Sequence, residues 1–393
     1  MRSDIIIIGG GIIGLATSYN ILKRYPKKTI TILEKESDLC LHQSKHNSGV
    51  LHSGIYYKPN SLKSINCRKG KRLIEAFCAR ENIPYKICGK LIVAVEKKEL
   101  PVLYNLFQRA KENSINCEII ERSRILELEP YCAGIKAIHI PETGIVDFNI
   151  VGKHLAKIII NHGHKILTDT KVLNLTETPS QVYVETTKGT FHSKFLINCA
   201  GLYSDRFSKI AAKIVPFRGE YFKLKPGVET FCNSLIYPVP NPQFPFLGVH
   251  FTRNIYGTVK CGPNAVLALS REGYYRTTID LRDAIESLSY PGFLILASKY
   301  WYNGLQEIFR SLSKTAFTKT LQRLIPAITS EDLIPTTSGV RAQVITPDGQ
   351  MVDDFLFHET NRTIHVINAP SPGATASLNI GKSITEKLIL HRL

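Results

Sequence analysis

At 393 residues, with 44% hydrophobic and 21% charged residues, the chain has the length for two domains or one large discontinuous one and the make-up of a soluble globular enzyme. The 50 Lys and Arg against 33 Asp and Glu leave a formal charge of +17, which admits an anionic partner (nucleic acid, a lipid surface, an acidic substrate) but is spread along the chain, as a lysine-rich proteome would also leave it. Neither a disulfide framework nor a zinc site is supported, because the nine cysteines are scattered, odd in number and free of any C-x-x-C pair.

Asp4-Ile5-Ile6-Ile7-Ile8 reads as a fully buried strand of a parallel sheet, since four β-branched apolar residues in a row suit a strand covered on both faces. The run breaks at Gly9-x-Gly11-x-x-Gly14 and continues with a helical pattern. Gly9 is expected to make the tight turn, Gly11 to let backbone N–H groups approach a pyrophosphate, and Gly14 to let the helix pack on the strand. The helix N-terminus then offers its open N–H groups and positive dipole end to the diphosphate. A second strand, 29–33, ends at Glu34, 20 residues after Gly14, where a carboxylate can accept hydrogen bonds from a ribose hydroxyl. An acid there argues against a 2′-phosphate, so the motif points to FAD or NAD and away from NADP.

The stretch from Lys35 through Ser44, Ser48 and Gly49 to Tyr57 is rich in small polar residues and poor in periodicity, as suits a loop threading close to a cofactor. A helix over 62–81, a strand over 89–95, a helix over 100–113 and a short strand over 137–140 follow. Asp147 or Asn149 should cap a helix over 151–162 that Gly163 closes. Strands over 165–167, 171–175 (with Val172 expected against the cofactor) and 182–186 lead to a last one over 195–201. Its end at Ala200-Gly201 would bring backbone to the dinucleotide a second time. Residues 216–335, rich in Tyr, Phe and Pro with alternating runs, suggest an antiparallel sheet with one exposed face.

Within that region, 299–325 is the most amphipathic segment, with Leu305, Ile308, Phe309, Leu312, Leu321 and Leu324 at helical spacing against Arg310, Lys314, Lys319 and Arg323. Periodicity favours a surface helix packed on the core; its basic face also suits an anionic lipid surface. After a strand over 364–368, the loop Pro372-Gly373-Ala374-Thr375 opens a last helix over 378–390. A second helix N-terminus thus points at whatever the first one holds, and the two ends of the chain build one site. The expected fold class is α/β (α+β overall). A Rossmann-like dinucleotide-binding domain would comprise 1–85, 145–215 and 336–393, and a discontinuous, mostly antiparallel-sheet substrate domain 86–144 and 216–335.

Asn47-Ser48-Gly49-Val50-Leu51-His52-Ser53-Gly54-Ile55-Tyr56-Tyr57, Asn198-Cys199-Ala200-Gly201-Leu202, Phe246-Leu247-Gly248-Val249-His250-Phe251-Thr252, Gly262-Pro263-Asn264-Ala265 and Ser371 to Ser377 span the chain. In these motifs it resembles the D-amino-acid-oxidase-like FAD-dependent oxidoreductases, and within them the L-2-hydroxyglutarate oxidase/dehydrogenase branch. The resemblance implies a non-covalent FAD, no cysteine or histidine being identified here that would attach the ring. It implies oxidation of L-2-hydroxyglutarate to 2-oxoglutarate, with hydride passing from C2 to flavin N5 and electrons going on to O2 or a membrane quinone. Peripheral contact with the cytoplasmic face of an inner membrane, through 299–325, would follow. Otherwise the protein is expected in the cytoplasm: no apolar run approaches the ~18 residues that span a bilayer, and a strand starting at residue 4 leaves no stretch for a signal peptide.

Removing a hydride from a hydroxy acid requires a base for the alcohol proton, and histidine is the natural one near neutral pH. His52 and His250 are the candidates. A dicarboxylate calls for a guanidinium fork, so Arg341 is expected to clamp a carboxylate, with Arg253, Tyr56 and Tyr237 as further donors. The same scaffold could instead act on an amino acid, sarcosine or glycerol 3-phosphate. A tRNA-binding flavoprotein is a reading of another class; no aromatic-rich RNA-binding signature or basic tail supports it, so no nucleic-acid partner is expected.

Overall fold

The computed structural model describes residues 2–241 and 247–392; Phe246, first residue of one motif above, lies outside them. Among the described residues the chain builds two large sheets and one small one. The first is eight-stranded, with Arg2–Ile8 parallel to both Ile30–Leu33 and Gly189–Asn198. Lys165–Leu167 continues it beyond Ile30–Leu33, and Thr363–Asn368 pairs with the end of Gly189–Asn198, both in parallel. Ile5 and Ile7 face a core shared with helices Ile12–Arg24, Phe148–Asn161 and Gly373–Arg392; Ile6 and Ile8 face a second core with Val182, Val184 and Leu196. Burial on both faces is why the strand is apolar at all four positions from Ile5 to Ile8.

Two glycines set the geometry at the strand's exit. Gly9 sits at φ +99°, and a Cβ there would strike the Cys199 carbonyl; a Cβ on Gly14 would strike the Gly9 carbonyl. The last helix likewise crosses the first backbone to backbone, Gly381 against Ala16. Both chain termini are thereby drawn to one side of the parallel sheet. Asp147 caps Phe148–Asn161, its carboxylate accepting from the Asn149 N–H at 2.9 Å.

The nine-stranded second sheet is antiparallel except where Leu91–Ala94 runs parallel to Leu235–Pro238. Two of its strands, Lys213–Leu224 and Leu333–Ile345, run past the expected domain boundaries at 215 and 336. The expected exposed face is absent from its centre. Leu91 and Val93 pack with Phe317, Leu321 and Leu324 on one side, while Ile92 and Ala94 pack with Leu103, Leu106 and Tyr237 on the other. Helices Lys314–Gln322 and Leu100–Glu112 therefore cover both faces.

The segment 299–325 is not one helix. Helix Pro291–Leu312 is kinked at Tyr300 (φ −116°, ψ 19°), stops at Ser313, and Ser313 caps the next helix by accepting from the Ala316 N–H at 3.2 Å. A capping signal sits inside the periodic pattern and divides it. Phe317, Leu321 and Leu324 go to the core, whereas Leu305, Ile308, Phe309 and Leu312 are exposed. The small sheet (Val50–Leu51, Gly144–Val146, Tyr85–Ile87) pins the middle of the 35–57 loop.

Candidate active site

One cavity of about 1420 Å³ is lined from both large sheets and both ends of the chain. It lies at the C-terminal ends of the parallel strands, marked by Ile8, Leu33 and Cys199, where ligands bind in open α/β sheets. Pockets for one small ligand run to roughly 300–1,000 Å³, so the space suits a dinucleotide together with a small substrate.

Gly9, Gly11, Ile12 and Ile13 line the cavity where the first helix begins, and Pro372, Gly373, Ala374 and Thr375 line it where the last begins. Two helix N-termini thus open on one space, the arrangement that binds a diphosphate. Gly11, as the cap position of the first helix, has no side chain; the Ser44 hydroxyl substitutes, accepting the Ile12 N–H at 2.9 Å. Glu34 is 8% exposed and accepts from the Gly10 N–H at 2.7 Å and the Glu36 N–H at 2.9 Å. Each carboxylate oxygen keeps a lone pair for a ligand hydroxyl. Ser48, Val172, Ala200 and Gly201 line the same cavity. Gly14 stands behind the wall in its packing position. Gly49, expected at the cofactor, does not line the cavity; at φ +70° and pressed on the Val146 carbonyl, it turns the chain.

Lys35 lines the cavity beside a cluster that sequence reasoning missed. Its ammonium contacts Glu36, Glu272 at 2.9 Å and His42 Nε2 at 3.0 Å. Glu36, His42 and Glu272 stand close enough to hold a metal ion, but the Lys35 ammonium already sits among them. Lys35 holds the Glu36 carboxyl below its ordinary pKa; despite burial, His42 and Lys35 do the same for Glu272. The cluster ties the 270–276 segment to the loop that follows Glu34.

At the substrate side the cavity is walled by His52, His250, Tyr56, Tyr237 and Arg341. The His52 backbone N–H reaches Thr375 Oγ1 at 3.3 Å, and that hydroxyl donates to the Val50 carbonyl at 3.0 Å, so the histidine loop is fastened to the last helix. Burial pulls both imidazoles down to about 3, and the Lys90 charge adds to the effect. His250 Nδ1 lies 2.8 Å from the Gly248 carbonyl. A carbonyl only accepts, so Nδ1 carries the proton of the neutral ring and Nε2 presents its lone pair. The Tyr237 ring stacks on His250 with centroids 3.7 Å apart. The Tyr56 hydroxyl is buried with no hydrogen-bond partner, as expected of a donor waiting for a ligand. Arg341 donates to the Asn264 carbonyl at 3.3 Å; burial lowers its pKa, yet a guanidinium stays charged.

Arg253, expected as a substrate donor, is elsewhere. It neither lines the cavity nor faces it: its Nη1 donates to the carbonyls of Glu229 and Cys232, each at 3.0 Å. Along His250–Arg253 alternate residues face opposite sides, and Arg253 lies on the side away from His250. Glu272, which lines the cavity, was not legible as a site residue, because nothing in its local sequence distinguishes it from a surface charge.

The chain matches the FAD dependent oxidoreductase family over residues 4–387. It is 47% identical to the L-2-hydroxyglutarate dehydrogenase of Indibacter alkaliphilus over 98% of both chains. It is 42% identical to the L-2-hydroxyglutarate dehydrogenases of Escherichia coli strain K12 (98% of this chain, 93% of that one) and of Homo sapiens, the latter mitochondrial (98% and 88%). Among solved structures it superposes on FAD-bound L-alpha-glycerophosphate oxidase from Mycoplasma pneumoniae with a TM-score of 0.81 at 24% identity, covering 100% of this chain and 97% of that one. Glycine oxidase from Geobacillus kaustophilus follows at 0.74 and 18%, covering 100% and 96%. The glycine cradle, the buried Glu34 and the two helix N-termini fit the cofactor these comparisons name, and the chain belongs to the FAD dependent oxidoreductase family.

Proposed function

We propose that the protein oxidises L-2-hydroxyglutarate to 2-oxoglutarate with a non-covalently held FAD. The observation that carries the reading is a buried guanidinium, Arg341, beside two neutral imidazoles in a chain 42–47% identical over nearly its whole length to L-2-hydroxyglutarate dehydrogenases. FAD, when bound, supplies the acceptor for the two electrons that leave C2 as hydride. The chain's own residues do the rest. Arg341 holds a carboxylate and orients C2. The hydroxyl proton goes to the imidazole pair, where Nε2 of His250 is free to accept and His52 stands in the same space. Both rings are uncharged before substrate arrives, so each is in its base form. Gly9, Gly11, Glu34, Ser44 and the 372–375 turn hold the dinucleotide.

Anaerobic titration of the flavin with L-2-hydroxyglutarate, an amino acid, sarcosine and glycerol 3-phosphate tests the substrate. Bleaching by the hydroxy acid is expected; bleaching by one of the others alone sinks the assignment. His52→Asn and His250→Asn, compared in single turnover, show which imidazole takes the proton.

For the electron acceptor we infer a quinone in an anionic membrane, met at the surface of helices Leu281–Leu288 and Pro291–Leu312. Among the described residues no helix is long and apolar enough to cross a membrane. These two, packed together, carry Leu281 (76% exposed), Leu312 (72%), Phe309 (64%) and Trp301 (63%), with Arg282, Lys299 and Lys314 exposed nearby. An apolar surface with aromatic and basic residues suits the interface of an anionic bilayer. The membrane surface is thus assigned to residues 281–312, centred before the 299–325 segment expected from sequence. Readmitting O2 or a quinone analogue to the reduced enzyme decides the acceptor: fast reoxidation by O2 alone overturns it.

A further inference from the structure

Arg341 lies on strand Leu333–Ile345 opposite Phe217, and its Nη1 donates to the Asn264 carbonyl at 3.3 Å. The N–H of the same peptide unit, that of Ala265, donates to Glu307 Oε2 at 3.0 Å. In a trans peptide the C=O and N–H point in opposite directions, so the guanidinium and the carboxylate reach the 264–265 peptide from opposite sides. Gly219, Tyr221, Pro263 and Arg341 line the cavity, whereas Asn264, Ala265 and Glu307 are buried behind its wall.

The peptide is itself fixed. Asn264 Oδ1 accepts from the Glu220 N–H at 2.8 Å, and Asn264 Nδ2 donates to Glu220 Oε2 at 3.1 Å. Ser311 Oγ donates to the same carboxylate oxygen at 2.6 Å. Glu307 and Ser311, four residues apart on helix Pro291–Leu312, share its buried face, while Leu305, Ile308, Phe309 and Leu312 are exposed. Two buried carboxylates thus grip one peptide, Glu220 through the Asn264 side chain and Glu307 through the Ala265 N–H.

The grip reaches Arg341 in two ways. A carboxylate that accepts a peptide N–H polarises that peptide, which strengthens its carbonyl as an acceptor for the guanidinium on the other side. Burial lowers the Arg341 pKa, and Tyr221 and Glu307 act against that shift. A carboxylate inside the cavity would favour the guanidinium too, but it would take the place of a substrate carboxylate. Glu307, one peptide away, gives its support without competing.

We propose that Glu307 is a positioning residue for substrate binding: from helix Pro291–Leu312 it holds the 264–265 peptide, whose carbonyl orients the Arg341 fork. The inference rests on the reading of Arg341 as the carboxylate clamp and is independent of the membrane reading of the same helix.

The test is a double-variant cycle. FAD-loaded wild type, Glu307→Ala, Glu307→Gln, Arg341→Lys and Glu307→Ala with Arg341→Lys are titrated with glutarate, which has no hydroxyl to oxidise, while the flavin spectrum is followed. Bound flavin and Tm show that each variant is folded. Glu307→Ala is expected to weaken glutarate about 10-fold. KM for L-2-hydroxyglutarate should rise alike, with kcat within about threefold of wild type. Glu307→Gln, whose amide oxygen can still accept from Ala265, should recover most of the loss. A lysine ammonium has no fork to orient, so on the Arg341→Lys background Glu307→Ala should cost less than about threefold. Equal weakening on both backgrounds, or Glu307→Ala binding glutarate within about threefold of wild type, overturns the proposal and leaves Glu307 an anchor for its helix. If Glu307→Ala does not hold flavin, Glu307→Asp, one methylene too short for Ala265, takes its place in the cycle. Failure of the clamp reading is a separate result: Arg341→Lys binding glutarate as wild type does would defeat the clamp itself, and the role of Glu307 with it.

Discussion

His52 and His250 have surrendered the property for which histidine is usually chosen, a pKa near neutrality. Burial holds both at about 3. Since kcat/KM follows the free enzyme and the base is active when unprotonated, its pH profile is expected to show no acid limb near 6.5; a limb between pH 6 and 7 would contradict the geometry. Arg341 differs in that its value lies in shape as well as charge. Arg341→Lys keeps the charge but loses the fork, and KM for the dicarboxylate should rise about 10- to 100-fold with a smaller change in kcat. At this scale sequence reading named His52, His250, Arg341, Tyr56 and Tyr237, which the fold brings to one cavity. It misplaced Arg253 because the side of a strand on which an arginine emerges depends on register, and register is set by pairing with other strands.

Among the elements, the segment around Glu272 bears most on cofactor retention. Glu272 bridges to Lys35 and His42 across the wall that also carries Glu34. Glu272→Gln is expected to weaken FAD binding about 3- to 10-fold with kcat at saturating FAD little changed, read by quenching of flavin fluorescence on reconstituting the apoprotein; unchanged affinity would reduce the bridge to a surface contact. Strand Thr363–Asn368 adds a stability effect. His365 is 3% exposed and bonded to Asn198 and Thr363, and burial lowers it to about 4. With His250, 5% exposed and at about 3, it binds fewer protons folded than unfolded, where both titrate near 6.5. Their contribution is therefore complete above about pH 6.5 and is lost as pH falls towards their folded values, at up to about 1.4 kcal/mol per pH unit per histidine. Tm should fall between pH 7.5 and 5; a flat Tm over that range would refute the assignment.

Over the whole molecule, the +17 charge and the apolar surface over 281–312 belong together only if the membrane reading holds. Vesicles with about one third anionic lipid are expected to bind wild type at low salt and to release it as salt screens the attraction. Leu305→Glu with Phe309→Glu should abolish co-sedimentation without altering flavin reduction. Co-sedimentation equal to wild type would move the contact elsewhere. Amphipathicity alone could not separate the two fates of 299–325, since a stripe that faces a core and one that faces a bilayer have the same period.

The strand-glycine-helix-strand-acid unit was determined by sequence alone, because its information is local. A run of isoleucines, three glycines whose missing Cβ atoms permit close backbone approach, and an acid 20 residues on are all read within 34 positions. The order of motifs likewise identified the family before any coordinates. Tertiary structure decided what depends on distant partners: the meeting of His52 with His250, the bridge from Lys35 to Glu272, and the division of one amphipathic stripe between core and surface. Such features are chosen by which faces pack together, and local propensity does not encode that choice.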